Sequence, residues 1–144
     1  MRGVAALDAL LRSLDLAPAG EDRYRAPNAG GGPGVVFGGQ LIGQSIVAAL
    51  RGQDGKRVKT VHTIFARGAS PETDVEIDVD RMHGGRTFAS TTVTIRQGDR
   101  LVTRSLVLLS ADEDDVIRHG DAMPDVKPPD GGPGNVGDWD VRMV

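Results

Sequence analysis

The sequence contains no cysteine among its 144 residues. This absence excludes disulfide bonds, thiolate metal sites and a cysteine nucleophile. It contains only three histidines, His62, His83 and His119, and their spacing matches no metal-binding motif, so no metal site is predicted. Aromatic residues are also scarce, with one Trp, one Tyr and three Phe. A hydrophobic core therefore has to be built mainly from Val, Leu, Ile and Ala.

Long apolar runs and an excess of positive charge are missing as well. No stretch reaches the roughly 18 apolar residues that a membrane span requires. Residues 1–16 carry Asp8, Arg12 and Asp15 within their apolar part, which is typical of an amphipathic helix rather than a signal peptide. The formal net charge of -3, without a run of Lys or Arg, argues against nucleic acid as a partner. We therefore expect a cytoplasmic protein.

Hydrophobic periodicity predicts two helices. Apolar residues recur at helical spacing through residues 4–14. Residues 40–51 are apolar around most of their circumference, which indicates a buried helix. Residues 17–34 are rich in Gly, Pro and Ala, and we expect a loop with at most a short strand around Tyr24. The segment 35–37 is apolar and β-prone.

Four strand patterns follow the second helix, at residues 58–67, 75–80, 86–96 and 101–109. Turn signals separate them, and short turns between long strands indicate antiparallel neighbours. A helix that is apolar nearly all round has to be wrapped by the strands rather than covered on one side. The sequence therefore predicts the α+β class and a hotdog fold, in which an antiparallel β-sheet wraps around a central buried helix.

The pattern weakens after Ser110. We assign residues 1–111 to a single hotdog domain with an N-terminal helix. Residues 112–144 are interpreted as an acidic linker rich in Pro and Gly. The linker ends on residues 138–144, which resemble the start of a further strand.

Several segments of the chain resemble type II acyl-CoA thioesterases. Residues 36–44 read VFGGQLIGQ, similar to the family's VFGGQ-x-x-GQ at the start of its central helix. Residues 61–67 read VHTIFAR and residues 85–88 read GRTF, which are similar to a histidine-containing strand and a glycine turn of the family. Residues 123–139 are similar to the linker between the family's two hotdog halves. The segments occur in the family's order, so the chain resembles the first half of a double-hotdog enzyme.

The resemblance implies hydrolysis of fatty acyl-CoA to free fatty acid and CoA, without a cofactor beyond the substrate. It also implies that the residues which activate water lie in the second hotdog, and no position of this chain matches them. No catalytic residue is therefore assigned. The expected partners are acyl-CoA and a second hotdog domain, supplied by homo-oligomerisation or by a separate C-terminal half, with Gln40 near that interface.

The start of the central helix offers donors for the oxyanion that develops in thioester hydrolysis. A helix N-terminus presents unpaired N–H groups and the positive end of the dipole. Gly38 and Gly39 would let a carbonyl approach the backbone there, so Gly38, Gly39 and Gln40 are the candidate oxyanion and substrate-binding residues. The alternative is that the two glycines only make a tight turn.

Three further observations bear on the site. Gln40 and Gln44 lie four residues apart on an otherwise apolar helix, so they either contact substrate or are satisfied at an interface. His62 is a candidate base, although a single histidine in a strand is more often a structural donor. The helix carries no Asp or Glu between Gly39 and Gln53. The missing acid favours a dependent half-enzyme, with a non-catalytic acyl-CoA-binding or assembly module as the alternative.

Overall fold

The computed structural model describes residues 2–29, 34–114, 116–126, 135–136 and 139–140. The chain divides into two compact units, one formed by Ala9–Asp112 and one formed by Met1–Asp8 together with Glu113–Val144. The elements in chain order are α1 (Arg2–Ser13), β1 (Ala17–Gly20), β2 (Arg23–Ala26), α2 (Gly38–Leu50), β3 (Lys56–Phe65), β4 (Val75–Gly84), β5 (Phe88–Gln97), β6 (Arg100–Ala111), β7 (Asn135–Val136) and β8 (Trp139–Asp140).

The larger unit is built on a six-stranded antiparallel sheet. The strands lie in the order β1-β2-β4-β5-β6-β3, so β4 and β5 are the middle pair and β1 and β3 form the edges. Helix α2 packs against β3, β4, β5 and β6. The α+β hotdog fold predicted from the sequence is therefore confirmed.

The core lies between α2 and the inner face of the sheet. Residues of β5 alternate between buried and half-buried, with Ala89, Thr91, Val93 and Ile95 turned inward as the period of two predicts. Strand β4 contributes a matching set of buried side chains, Val75, Ile77 and Val79. Branched aliphatic side chains fill the core, as the scarcity of aromatic residues requires.

One face of α2 is more exposed than the sequence predicts. Leu41 and Ala49 are buried against the sheet, at 2% and 0% exposure. The sequence predicts that Ile42, Ile46 and Leu50 are buried as well, whereas they are only half-buried, with Leu50 packed against the core. The sheet covers α2 from one side, and an apolar pattern does not reveal which side that will be.

The strand order also differs from the prediction that strands with short connections are neighbours. Strand β3 pairs with β6 and not with β4, which pairs with β2 and β5. The connection from residue 66 to residue 74 begins against the start of β6, where the N–H of Ala66 donates to the carbonyl of Val102 at 2.8 Å. The hairpins β4–β5 and β5–β6 do pair as predicted.

The loop before α2 holds two further differences. The expected short strand around Tyr24 is β2, but β1 precedes it and was not predicted. The apolar segment 35–37 forms no strand, and the N–H of Val36 instead donates to the carbonyl of Ala69 at 2.9 Å. Apolar β-prone residues therefore serve here to seat the start of α2 on the connection after β3.

The described residues of the smaller unit include a short hairpin. Val136 pairs with Trp139, and Asn135 pairs with Asp140. The strand expected at residues 138–144 is seen at Trp139–Asp140 only, since Asp138 and residues 141–144 lie outside the described residues. Residues 127–134 and 137 of the expected linker lie outside them too. The proposed boundary at residue 111 stays a prediction.

Candidate functional site at the start of the central helix

Helix α2 begins with an open N-terminus. Phe37 takes the N-cap position with an extended backbone and makes no side-chain capping hydrogen bond. The N–H of Gln40 donates to the carbonyl of Phe37 at 3.0 Å. Among the described residues, the N–H groups of Gly38 and Gly39 make no hydrogen bond. The first turn contains no acidic residue, so the positive end of the helix dipole is not neutralised locally.

Two aromatic rings lie against the glycines of this helix start. A Cβ atom on Gly39 would come within 2.5 Å of the Phe37 ring, and one on Gly38 within 3.2 Å of the Phe65 ring. Both rings are partly open to solvent, with 63% of Phe37 and 49% of Phe65 exposed. The glycines therefore admit aromatic rings. Their predicted role in admitting a substrate carbonyl stays a prediction.

Gln40 holds the preceding loop. Its side chain is 2% exposed. Its Oε1 accepts from the N–H of Ala29 at 3.1 Å, and its Nε2 donates to Oδ1 of Asn28 at 2.8 Å. The side-chain amide of Gln40 is therefore satisfied within the chain.

Gln44 is buried one turn further along α2, on the same side. Its Nε2 donates to the carbonyls of Ser13 and Pro27, at 3.0 and 3.2 Å. Its Oε1 has no hydrogen-bond partner among the described residues. The two glutamines together tie the segment 27–29 to α2, and Gln44 also ties α2 to the end of α1. A role in substrate binding stays a prediction for both.

Asn28 and Gln97 extend this amide network, and the sequence did not single them out as site residues. The Nδ2 of Asn28 donates to the carbonyls of Ser70 and Thr73. The Nε2 of Gln97 donates to the same two carbonyls, and its Oε1 accepts from the N–H of Ser70 at 2.8 Å. The side chains of Asn28, Gln40 and Gln97 thus link the N-terminal end of α2 to the loops at residues 28–29 and 70–73 and hold it in place. The sequence signal that could have pointed to Gln97 was a glutamine at the end of a predicted strand, directly before Gly98.

The structure does not bring His62 to the helix start. Strand β3 alternates so that Val61 and Thr63 are half-buried toward α2 while His62 is exposed. In register, His62 lies opposite Leu106, which also faces away from the helix. The sheet therefore separates the imidazole from the open N–H groups of Gly38 and Gly39.

Metal-binding clusters and membrane-spanning helices are both absent from the described residues. They contain no group of three or more His, Cys, Asp or Glu side chains that could hold a metal ion. A recess of ≈ 330 Å³ lies at the β1–β2 turn, and none of the predicted site residues lines it. No helix among the described residues is long and apolar enough to cross a membrane.

The strand order and the helix packed on the sheet define a hotdog fold. The family model described as "Acyl-CoA thioesterase N-terminal domain" matches residues 26–110, which is more than half of the chain. The chain belongs to this family.

Relatives of known name agree with this membership. The chain is 29% identical over 122 residues to the peroxisomal acyl-coenzyme A thioester hydrolase 1 of Saccharomyces cerevisiae, covering 82% of this chain and 35% of the relative. It is 28% identical over 118 residues to human acyl-coenzyme A thioesterase 8, covering 81% and 37%. The chain thus spans little more than a third of the length of the curated relatives it matches.

A solved structure agrees with the family membership of the chain. Acyl-CoA thioesterase II TesB2 of Mycobacterium marinum superposes with a TM-score of 0.80 at 29% identity. The match covers 94% of this chain and 50% of the solved chain. The chain therefore corresponds in length and fold to about half of that protein.

Proposed function

We propose that this chain is the N-terminal half of an acyl-CoA thioesterase, which hydrolyses fatty acyl-CoA to free fatty acid and CoA. The observation that carries the proposal is the match of the N-terminal thioesterase family to residues 26–110. The open N–H groups at the start of α2 supply the matching chemistry, because thioester hydrolysis needs donors aimed at the developing oxyanion. Gly38, Gly39 and Gln40 are proposed to form this carbonyl-binding end.

The chain is proposed to depend on a second hotdog for turnover. Hydrolysis also needs a group that orients and deprotonates water. Helix α2 bears no carboxylate, and the sheet separates His62 from the helix start. The solved relative that matches 94% of this chain is twice as long as the matched part, which leaves room for a second hotdog carrying that group. The proposed reaction uses acyl-CoA and water and needs no metal or cofactor.

Strand β3 is the proposed docking edge for that second hotdog. It is ten residues long and lies at the edge of the sheet, where its outer N–H and C=O groups have no strand partner among the described residues. Such an edge accepts another strand readily. Docking there should slow amide hydrogen exchange across Lys56–Phe65 and leave the short opposite edge at β1 unchanged.

The activity test compares the purified chain alone with the same chain plus the C-terminal half of a type II relative. A missing water-activating group typically costs on the order of 10²–10⁴-fold in rate, so we expect little or no acyl-CoA cleavage alone and a gain of that order in the complex. Turnover by the isolated chain at an ordinary enzymatic rate, roughly 1–10³ per second, would contradict this dependence.

A non-catalytic acyl-CoA-binding or assembly module is the second candidate, favoured by the absence of an acid on α2. It predicts binding of acyl-CoA by the chain without a gain in cleavage when a second hotdog is added. A cytoplasmic location is proposed from composition alone.

A further inference from the structure

The sheet face that points away from α2 carries an exposed apolar patch. We call it the outer patch, and its members, with exposures of 37–61%, are Ile64, Met82, Phe88, Leu106 and Leu108. The register brings four strands into it, since Leu106 lies opposite both Thr92 of β5 and His62 of β3. The Oγ1 of Thr92 also donates to Sδ of Met82 at 3.0 Å. Apolar side chains grouped on one exposed face are a feature of interaction surfaces.

Charges flank the outer patch with opposite signs on its two sides. On the β4 side, Asp80 and Glu21 have no ion-pair partner among the described residues, whereas Asp78 is paired with Arg23 at 3.1 Å. On the side of β6 and β3, Arg104 and Lys59 are exposed and likewise unpaired. The face is therefore acidic on one flank, apolar in the middle and basic on the other flank.

The acidic flank contains a recess that suits a basic side chain. It has a volume of ≈ 330 Å³ and is lined by Glu21, Asp22, Arg23, Asp78, Val79, Asp80 and Thr94. In the same molecule, Arg104 lies opposite Thr94 in the β5–β6 register, directed outward. Arg104 therefore lies at the same height as Thr94 and Asp78, with β5 between β6 and the acidic positions of β4, and Asp80 lies two residues further along β4, at the height of Leu106.

We propose that the outer patch is the interface of a symmetric dimer of this chain, with two sheets packed face to face. The two-fold axis runs parallel to the strands and passes between β5 and β6. This rotation exchanges the two sides of the sheet and keeps the height along the strands, so Arg104 of each copy lies over Thr94 of the other, at the acidic recess. Leu106 and Leu108 then meet at the centre, in the aligned packing that paired sheets adopt about 10 Å apart.

The charge pattern selects this axis and this occupant. An in-plane axis perpendicular to the strands would place β4 over its own symmetry mate and bring the two acidic flanks together, and juxtaposed like charges disfavour association. A membrane surface carries one sign of charge and would not match a face with an acidic and a basic flank. A second copy rotated about the strand direction matches both flanks at once, as an isologous interface requires. This interface is separate from the β3 edge that the proposed function assigns to a second hotdog.

The test measures the mass of the 144-residue chain by sedimentation velocity at micromolar concentration. Leu106→Asp, at the centre of the outer patch, should halve the particle mass, because we expect the dissociation constant of the dimer to rise by on the order of 100-fold. Asp80→Arg and Arg104→Glu should each weaken association by on the order of tenfold, because each creates two like-charge contacts across the two-fold axis. The double variant Asp80→Arg with Arg104→Glu should restore the wild-type mass.

The restored mass is the decisive result, since Asp80 and Arg104 lie on different strands of one molecule with β5 between them. Asp99→Arg in the β5–β6 turn is the matched control and should leave the mass unchanged. A monomeric wild type, an unchanged mass for Leu106→Asp, or a double variant weaker than both single variants would each overturn the proposal. Circular dichroism of every variant distinguishes loss of the interface from loss of the fold. Acyl-CoA cleavage with an added second hotdog is measured separately, so failure of the interface leaves the thioesterase proposal standing.

Discussion

The two ends of α2 are built in opposite ways. At the C-terminal end, the carbonyl of Arg51 accepts from Nη2 of Arg81 at 2.8 Å. The same guanidinium makes a bidentate ion pair with Asp22, with contacts of 2.7 to 3.0 Å. At the N-terminal end, Gly38 and Gly39 have neither a capping side chain nor an acidic neighbour on the first turn. The end where no chemistry is proposed therefore has a charged donor on a terminal backbone carbonyl, whereas the end proposed to bind the carbonyl is anchored by amide side chains but keeps open backbone N–H groups.

The contrast between the two ends of α2 requires that the helix is held firmly along its buried face. Leu41 is 2% exposed and belongs to the core cluster, whereas Ile46 is only half-buried. We expect Leu41→Ala to lower the free energy of unfolding by about 2–5 kcal/mol, from lost burial and a residual cavity. Ile46→Ala should have a clearly smaller effect, because the half-exposed side chain loses less buried area.

Urea denaturation of both variants measures this difference. Equal losses would show that the outer side of α2 is covered in solution and that the exposure of Ile46 does not describe the functional assembly. Association through that side of α2 would produce this result, and repeating the measurement at several protein concentrations would reveal it.

Breaking the closed C-terminal end should have the next largest effect. Arg81→Ala removes the hydrogen bonds to Asp22 and to the carbonyl of Arg51, and we expect a loss of about 1–3 kcal/mol. The pair is partly exposed, with 26% and 33% side-chain exposure, so solvent screening favours the lower part of this range. Arg81→Lys should recover only part of the loss, because an ammonium cannot reproduce the two-pronged contact.

Arg86→Ala is the control for this measurement, since Arg86 is an exposed arginine in the following turn. Its effect should stay within about 0.5 kcal/mol. If Arg81→Ala is equally harmless, the C-terminal end of α2 is not held in the way the contacts indicate. Neither variant should change the rate of acyl-CoA cleavage in the presence of a second hotdog, provided that the protein remains folded.

Hydrophobic periodicity predicted the main helices and strands, because the periodic pattern reflects which residues of each element are buried. The alternation of β4 and β5 and the apolar run of α2 reappear in the structure at nearly the predicted positions. Strand order was less accessible, because β3 pairs with β6, which is distant in the chain, and local periodicity carries no information about such a pairing. The half-exposure of Ile46 likewise depends on which side of α2 the sheet covers.

The candidate site was likewise predicted only in part from the sequence. The sequence singled out Gly38, Gly39 and Gln40, and the structure places them together at one helix start. It could not show that the Phe65 ring, from a distant strand, lies against Gly38. Nor could the sequence show that the Gln40 amide hydrogen-bonds to Asn28 and Ala29, because such partners are set by tertiary packing.

The smallest expected effect on stability belongs to the open end of α2. In Gly39→Ala, the new Cβ would meet the Phe37 ring at 2.5 Å, but that ring is 63% exposed and can turn toward solvent. Alanine is favoured over glycine in a helix by up to about 1 kcal/mol, which offsets the cost of moving the ring. We therefore expect the free energy of unfolding to change by less than about 1 kcal/mol.

The same variant should nevertheless lower acyl-CoA cleavage in the complex with a second hotdog. The added methyl group and the displaced ring obstruct the N–H groups proposed to bind the thioester carbonyl, and loss of one such donor typically costs on the order of 10²–10³-fold in rate. Gly43→Ala makes the same substitution one turn further along α2, where the nearest atom is Cδ2 of Leu14 at 3.1 Å. It should leave the rate much closer to that of the wild type. Equal rates for the two variants would mean that the open end of α2 is not where the carbonyl binds, and the contrast between the two ends would then have a purely structural origin.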